Sequence, residues 1–229
     1  MQADNGPVIP LSGLVFLMDP ANLRTYPGTG TTATDLVPTV AAGTMTNLTA
    51  TATSFVYGGT NSVVNYPTLS ANTSKVTMVN SSFSVSYYAN TTFNASFHPW
   101  VDKFAASGFR TTITAAGRIG LEQRTQLSVY ESATTSGSVL SNMVWSHVTV
   151  TYNASSKSCV FYVNGSNVFQ QGSWTVVQGD SGMGFNLGYS PNNGVYANGQ
   201  LGPVAIYNRD LNPVEVNQVY TAYRGRYNI

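Results

Sequence analysis

From Leu14 onward the apolar residues come in short runs rich in Val, Thr, Tyr and Phe, bounded by Gly, Asn and Pro. That punctuation predicts an antiparallel all-β domain. Leu14-Val15-Phe16-Leu17-Met18 is continuously apolar, as a core strand is. Over 82–89 the pattern alternates instead, with Phe83, Val85 and Tyr87 on one face and Ser84, Ser86 and Tyr88 on the other. Ser146-His147-Val148-Thr149-Val150-Thr151-Tyr152 alternates hydroxyl or imidazole with apolar residues, and Asn153-Ala154-Ser155-Ser156 turns the chain. Cys159-Val160-Phe161-Tyr162-Val163 is then the partner strand, Asn164-Gly165 a tight I′-type turn, and Val168-Phe169 the restart of the ladder. Further strands are expected at Phe185-Asn186-Leu187-Gly188 and over 202–207. The Thr- and Ala-rich stretch 29–53 reads as long loops or edge strands.

One helix is specified near the end. Asn212 caps it, Pro213 suits its first position, and Glu215 sits third, where its carboxylate reaches back to the cap and meets the helix dipole. Val216, Val219, Tyr220 and Tyr223 follow at i, i+3, i+4 and i+7, one apolar stripe to lie on the sandwich. Arg224-Gly225 is expected to end it. At the other terminus, residues 1–12 read as an extended arm, its first ten residues ending in Pro7-Val8-Ile9-Pro10, and 13–229 as one domain.

Composition narrows the function. The 229 residues carry 10 Lys and Arg against 9 Asp and Glu, a charged fraction of 8%, about a third of the usual. Such a chain releases few counterions, which argues against nucleic acid or anionic lipid as partner. The polar surface is made of hydroxyls and amides: 24 Ser, 27 Thr and 21 Asn. Seven Asn-x-Ser/Thr sequons occur, where chance in this composition gives about five, so they are read as composition and not as glycans. Cys159 is the single cysteine and sits in a strand pattern, which excludes an intrachain disulfide and suggests a buried small hydrophobe. The polar first residues and the shortness of the apolar runs imply no export signal and no membrane insertion. The expectation is a soluble protein made in a cytoplasm.

The stretches Trp145-Ser146-His147-Val148, Phe161-Tyr162-Val163-Asn164-Gly165 and Gly199-Gln200-Leu201-Gly202-Pro203-Val204-Ala205-Ile206-Tyr207-Asn208-Arg209-Asp210-Leu211 resemble the laminin-G-like, concanavalin A-like lectin/glucanase superfamily. The opening Gly13-Leu14-Val15-Phe16-Leu17-Met18-Asp19-Pro20-Ala21-Asn22 and the ending Arg224-Gly225-Arg226-Tyr227-Asn228-Ile229 look like such domains in phage and viral structural proteins. The resemblance implies a two-sheet antiparallel jelly-roll sandwich with one short C-terminal helix. It does not by itself give a function.

Glucanases of this superfamily carry clustered carboxylates on one strand, since acid and nucleophile must flank one glycosidic bond. Here no two acidic residues lie within two positions of each other, so no enzyme is expected. His98 and His147 with one Cys show no zinc spacing, and His147 reads as a strand-face hydrogen-bonder. Asp180-Ser181-Gly182 and Asn192-Asn193-Gly194 are loops of a calcium-binding type with too few carboxylates, so neither metal nor cofactor is expected. Tyr189, Asn192, Asn193 and Tyr196 share one loop and are the candidate glycan-binding set, against the alternative that loops favour Asn and Gly for turn geometry alone. Trp100 and Trp174 are further exposed-aromatic candidates or core residues.

The leading expectation is a non-catalytic virion structural protein, a capsid decoration or outer-surface protein assembled in the host cytoplasm. It would bind a viral capsid or other virion protein, with Pro7, Val8, Ile9 and Pro10 as lattice anchor, as a homo-oligomer. The alternative is a carbohydrate-binding adhesin that attaches to a cell-surface glycan.

Overall fold

The computed structural model describes residues 8–37, 42–66, 76, 78–104, 107–125, 129–176, 179 and 184–229. In chain order the elements are β1 (Leu14–Met18), β2 (Thr32–Thr34), β3 (Ala42–Thr46), β4 (Leu48–Ala50), β5 (Phe55–Gly58), β6 (Val63–Tyr66), β7 (Phe83–Thr91), β8 (Phe97–Lys103), β9 (Gly108–Thr114), β10 (Ile119–Arg124) and β11 (Tyr130–Thr134). Then follow β12 (Trp145–Asn153), β13 (Ser158–Val163), β14 (Ser166–Gln171), β15 (Phe185–Leu187), β16 (Tyr189–Ser190), β17 (Val195–Tyr196), β18 (Asn198–Tyr207) and α1 (Pro213–Tyr227). They form two eight-stranded antiparallel sheets, β14-β13-β12-β7-β18-β5-β4 with β1 on β18, and β11-β10-β9-β8-β15-β6-β3-β2. A two-stranded hairpin, β16-β17, pairs with neither sheet and forms a small ladder of its own. The architecture is the expected jelly-roll sandwich with its C-terminal helix.

The alternation over β7 sorts residues as its sequence pattern requires. Phe83, Val85 and Tyr87 enter the inter-sheet core with Val148, Val150, Leu201, Val204 and Ile206. Tyr88 faces outward into a second cluster with Tyr162, Ala205 and Tyr207, which Val216, Val219, Tyr223 and Tyr227 of α1 cover. The helix therefore lies on the outer face of the first sheet. Tyr88 ties the two together by donating its hydroxyl to the Tyr220 carbonyl at 2.5 Å.

Local signals hold at the turns. Asn164 and Gly165 have φ of 50° and 79°, the paired positive values of a type I′ turn. Asn212 accepts from the Val214 and Glu215 amides and Glu215 accepts from the Asn212 amide, a complete capping box. The far end differs from the sequence expectation: the helix runs past Gly225 to Tyr227 and stops at Asn228, whose left-handed φ of 54° caps it. Gly225 does not end it because Tyr227 still has a place in the cluster beneath. Trp100 and Trp174 are both buried core residues, 0% and 1% exposed, which removes them as surface aromatics. Within 29–53, β2, β3 and β4 are short strands at the margins of the sheets.

Candidate functional site

On the outer face of the second sheet, cross-strand pairing lines up one unbroken polar row: Thr32, Thr44, Asn65, Asn186, Asp102, Arg110, Glu122 and Ser132. Period-two alternation puts these residues outward while Val64, Val101, Leu121 and Ala133 turn into the core. The two ends of the row, with Thr32, Thr44 and Asn65 at one and Ser132 at the other, are exposed; Asn186, Asp102 and Arg110 in its middle are buried. The β16-β17 hairpin packs against β8, which carries Asp102, and bonds to Arg110, while Asn186 Oδ1 accepts from the Asn65 side-chain amide at 2.7 Å.

Arg110 organises the buried part. Its Nη2 donates to Glu122 Oε2 at 2.7 Å, and its Nη1 donates to Ser190 Oγ at 3.0 Å and to Asn193 Oδ1, both on the hairpin. The guanidinium carbon lies 4.8 Å from the centre of the Phe97 ring and 4.5 Å from that of Phe104, where the ring faces favour a cation. Asp102 Oδ2 stands 4.0 Å from Nη1, and Asp102 Oδ1 accepts from the Phe104 amide at 2.9 Å. Burial pushes the Asp102 carboxyl up to about 6, against the opposing pull of the Phe104 amide, Ser190 and Arg110.

Beside this network opens a cavity of about 260 Å³ lined by Phe104, Arg110, Glu122, Arg124, Tyr130, Asn192 and Asn193. Arg124 donates to Asn192 Oδ1 at 3.4 Å and lies over Phe104. Tyr130, on the edge strand, is 63% exposed and meets Phe104 edge-on. The cavity presents an amide pair, a carboxylate and an exposed aromatic ring within one small volume. That combination hydrogen-bonds and stacks on polyhydroxylated ligands.

The four loop candidates divide. Asn192 and Asn193 line the cavity. Tyr189 and Tyr196 pair across the hairpin and stack on each other, centroids 4.2 Å apart. Tyr196 faces a different hollow, of about 440 Å³, with Gly59, Thr60, Asn61, Ala95, Gly194 and Val195. Of the arm residues, Ile9 and Pro10 are buried, Ile9 in the cluster under α1; Val8 is exposed, and Pro7 lies outside the described residues. Asp180-Ser181-Gly182 also lies outside them.

Sequence reasoning missed Arg110, Glu122, Arg124, Tyr130, Phe104 and Asp102. A signal was present: in a chain with 19 charged residues, Glu122 and Arg124 sit two apart on one strand, hence on one face. The hairpin that completes the site depends on Gly188, whose φ is +81° and where a Cβ would fall 2.2 Å from Tyr57 Cε1. Behind it, the Asn198 amide donates to His98 Nδ1 at 3.2 Å, so this buried imidazole is neutral with its proton on Nε2; burial pushes its pKa down to about 4.

Other reactive side chains are committed to structure. His147 Nε2 meets Ser86 Oγ at 2.8 Å and Thr149 Oγ1 at 3.1 Å beneath Tyr220. Burial pushes its pKa down to about 3. Burial pushes the Cys159 thiol up to about 11, the reverse of what a nucleophile needs. Glu215 forms a two-bond ion pair with Arg209 at 2.6 and 2.7 Å, and Asp19 pairs with Arg226 at 2.6 Å. Among the described residues no group of three His, Cys, Asp or Glu is placed to hold a metal ion.

A family model described as the concanavalin A-like lectin/glucanases superfamily matches residues 58–217. Solved structures with the same fold include the binding domain of Paraclostridial Mosquitocidal Protein 1, with a TM-score of 0.69 at 16% identity over 92% of this chain and 52% of that one. The receptor binding domain of botulinum neurotoxin C/D mosaic serotype gives 0.67 at 16% identity, over 91% and 51%. That of Botulinum Neurotoxin Type G gives 0.66 at 14%, over 92% and 51%. The chain spans about half the length of these domains. No curated protein sequence matches it.

Proposed function

The chain belongs to the concanavalin A-like lectin/glucanases superfamily, and on that premise we propose that it is a non-catalytic binding domain that takes a cell-surface carbohydrate into the Arg110–Glu122 cavity. The observation that carries this reading is the cavity itself: Glu122, Asn192 and Asn193 converge there beside the exposed ring of Tyr130. Binding domains and receptor-binding domains among the similar structures support it.

Two features favour binding over turnover. A glycosidase needs two carboxylates free to address one bond, whereas Asp102 is 1% exposed under the hairpin and Glu122 is held by Arg110. Glu215 and Asp19 serve ion pairs with Arg209 and Arg226, and Glu131 accepts from the Thr175 and Val176 amides. The test is a glycan array with the purified chain, repeated with Tyr130→Ala and Glu122→Gln. Saturable binding to a glycan class that both substitutions weaken supports the reading; release of new reducing ends, or an array silent toward every glycan, refutes it.

A second reading is a virion-surface protein that coats a protein lattice. It is favoured by one observation, an apolar hollow where the arm meets the helix, lined by Val8, Val214, Asn217, Gln218, Thr221 and Ala222, with Val8 74% and Val214 77% exposed. It predicts that Val8→Asp with Val214→Asp abolishes co-sedimentation with particles and leaves glycan binding intact. A homo-oligomer belongs to this reading and is checked by native mass.

A further inference from the structure

We infer that the cavity accepts a single uncharged sugar residue at the exposed end of a glycan, and not an internal stretch of chain. This rests on the proposal that the cavity is the carbohydrate site.

The polar row would offer a track about 30 Å long across eight strands spaced roughly 4.8 Å apart. The β16-β17 hairpin interrupts that track: it packs against β8, and Ser190 and Asn193 bond to Arg110, with Arg110 6% and Asp102 1% exposed at that point. A polymer following the row would have to cross the hairpin, and the hairpin is pinned to the sheet through a buried guanidinium. The open space beside it, about 260 Å³, falls below the roughly 300–1,000 Å³ of pockets that enclose drug-sized molecules. One pyranose ring suits that volume and an oligosaccharide does not.

The charge argument sets the class. Arg110 already faces two carboxylates, Glu122 at 2.7 Å and Asp102 at 4.0 Å. Glu122 spends only Oε2 on that pair; Oε1 has no hydrogen-bond partner among the described residues. Asn193 turns its Oδ1 toward Arg110 and Ser190, which leaves its amide N–H groups for a ligand. The cavity thus offers a carboxylate acceptor and amide donors side by side, the complement of vicinal hydroxyls, with Tyr130 to stack on the apolar face of the ring. The second guanidinium of the wall, Arg124, is engaged with Asn192 Oδ1 and the Phe104 ring, so a sialic or uronic acid would bring its own carboxylate against Glu122 without a cation held ready for it.

The test uses the whole chain, isotope-labelled, titrated with the methyl glycosides of glucose, galactose and mannose. Two further probe sets are oligosaccharides ending in each of these sugars, and the same oligosaccharides with that end sialylated or oxidised to a uronic acid. The expected result is that one methyl glycoside shifts the resonances of Glu122, Tyr130, Asn192 and Asn193. Its oligosaccharide should bind within about threefold of it, and sialylation or oxidation of the end should weaken binding by about tenfold or more. Glu122→Gln and Tyr130→Ala should each weaken it; Tyr130 is exposed, so its loss leaves folding intact even where Glu122→Gln disturbs Arg110. Affinity that rises with chain length whatever the end residue, or acidic ends bound as well as neutral ones, overturns the inference while leaving a carbohydrate site in place. Silence toward every probe, or shifts confined to another surface, removes the carbohydrate reading of this cavity and the inference with it.

Discussion

Asp102 and Arg110 occupy directly paired positions on β8 and β9, yet the guanidinium stands 4.0 Å from Asp102 and 2.7 Å from Glu122, its partner on β10. Arg110 is drawn to the more accessible carboxylate and to the hairpin, so Asp102 is buried with only partial compensation. Its pKa of about 6 is the consequence.

A raised carboxyl pKa means that the folded chain holds the proton more tightly than the unfolded chain. The stability this contributes is present below pH 3.8 and lost as the pH climbs through about 6. Holding Asp102 ionised at pH 7.5 costs on the order of 3 kcal/mol. That net cost already includes the attraction to Arg110, so Asp102→Asn, an uncharged stand-in for the protonated acid, should stabilise the chain by up to about 3 kcal/mol at pH 7.5 and by nothing at pH 3.5. Urea unfolding at both pH values decides; a variant less stable than the parent at pH 7.5 would show that the Arg110 attraction outweighs burial.

The two histidines act in the opposite sense. His98 and His147 are neutral in the fold, with pKa values pushed down to about 4 and about 3 from 6.5. The unfolded chain therefore binds more protons, and stability falls as the pH drops below 6.5. Each histidine removes about 1.4 kcal/mol per pH unit, and Asp102 returns about the same between pH 6 and 4. The net slope expected there is one proton's worth, and about two in Asp102→Asn. A pH series of unfolding free energies for parent and variant reads both slopes; equal slopes would refute the assignment.

Local chemistry made much of the fold legible and little of the site. Asn164-Gly165, the alternation through Phe83, Val85 and Tyr87, and the Asn212–Glu215 box each involve residues a few positions apart, so sequence spacing states their geometry. Asp102, Arg110, Glu122 and Asn193 meet through the register of three strands and the fold-back of a hairpin 71 positions after Glu122. Taken singly, each is an ordinary strand or loop residue. The Tyr189–Tyr196 pair shows the converse: two loop aromatics that read as ligand platforms stack on one another.

The hairpin's position depends on one backbone conformation. A side chain at Gly188 is disfavoured by the φ of +81° and would drive into Tyr57, itself wedged edge-on against Trp100 at 5.4 Å. Gly188→Ala should destabilise the chain by about 2 kcal/mol. It should also release the Arg110–Asn193 bond, so ligand affinity falls even at temperatures where the variant is fully folded. Affinity unchanged in the folded variant would mean that the hairpin does not form the cavity wall.

The arm gives a test that separates internal from external contacts. Ile9 is 6% exposed and packs with Leu211, Val216, Val219, Tyr223 and Tyr227, while its neighbour Val8 stands 74% exposed with its carbonyl accepting from Gln218 at 3.3 Å. Adjacent residues on an extended segment point to opposite sides, so one fastens the arm to the helix and the other is presented outward. Ile9→Ala should cost about 2 kcal/mol by emptying part of the cluster, whereas Val8→Asp should change stability by less than about 0.5 kcal/mol. Thermal unfolding of the two variants measures the difference. Should Ile9→Ala unfold at the parent temperature, the arm would contribute nothing to holding the helix, and its apolar residues would be free to serve a partner instead.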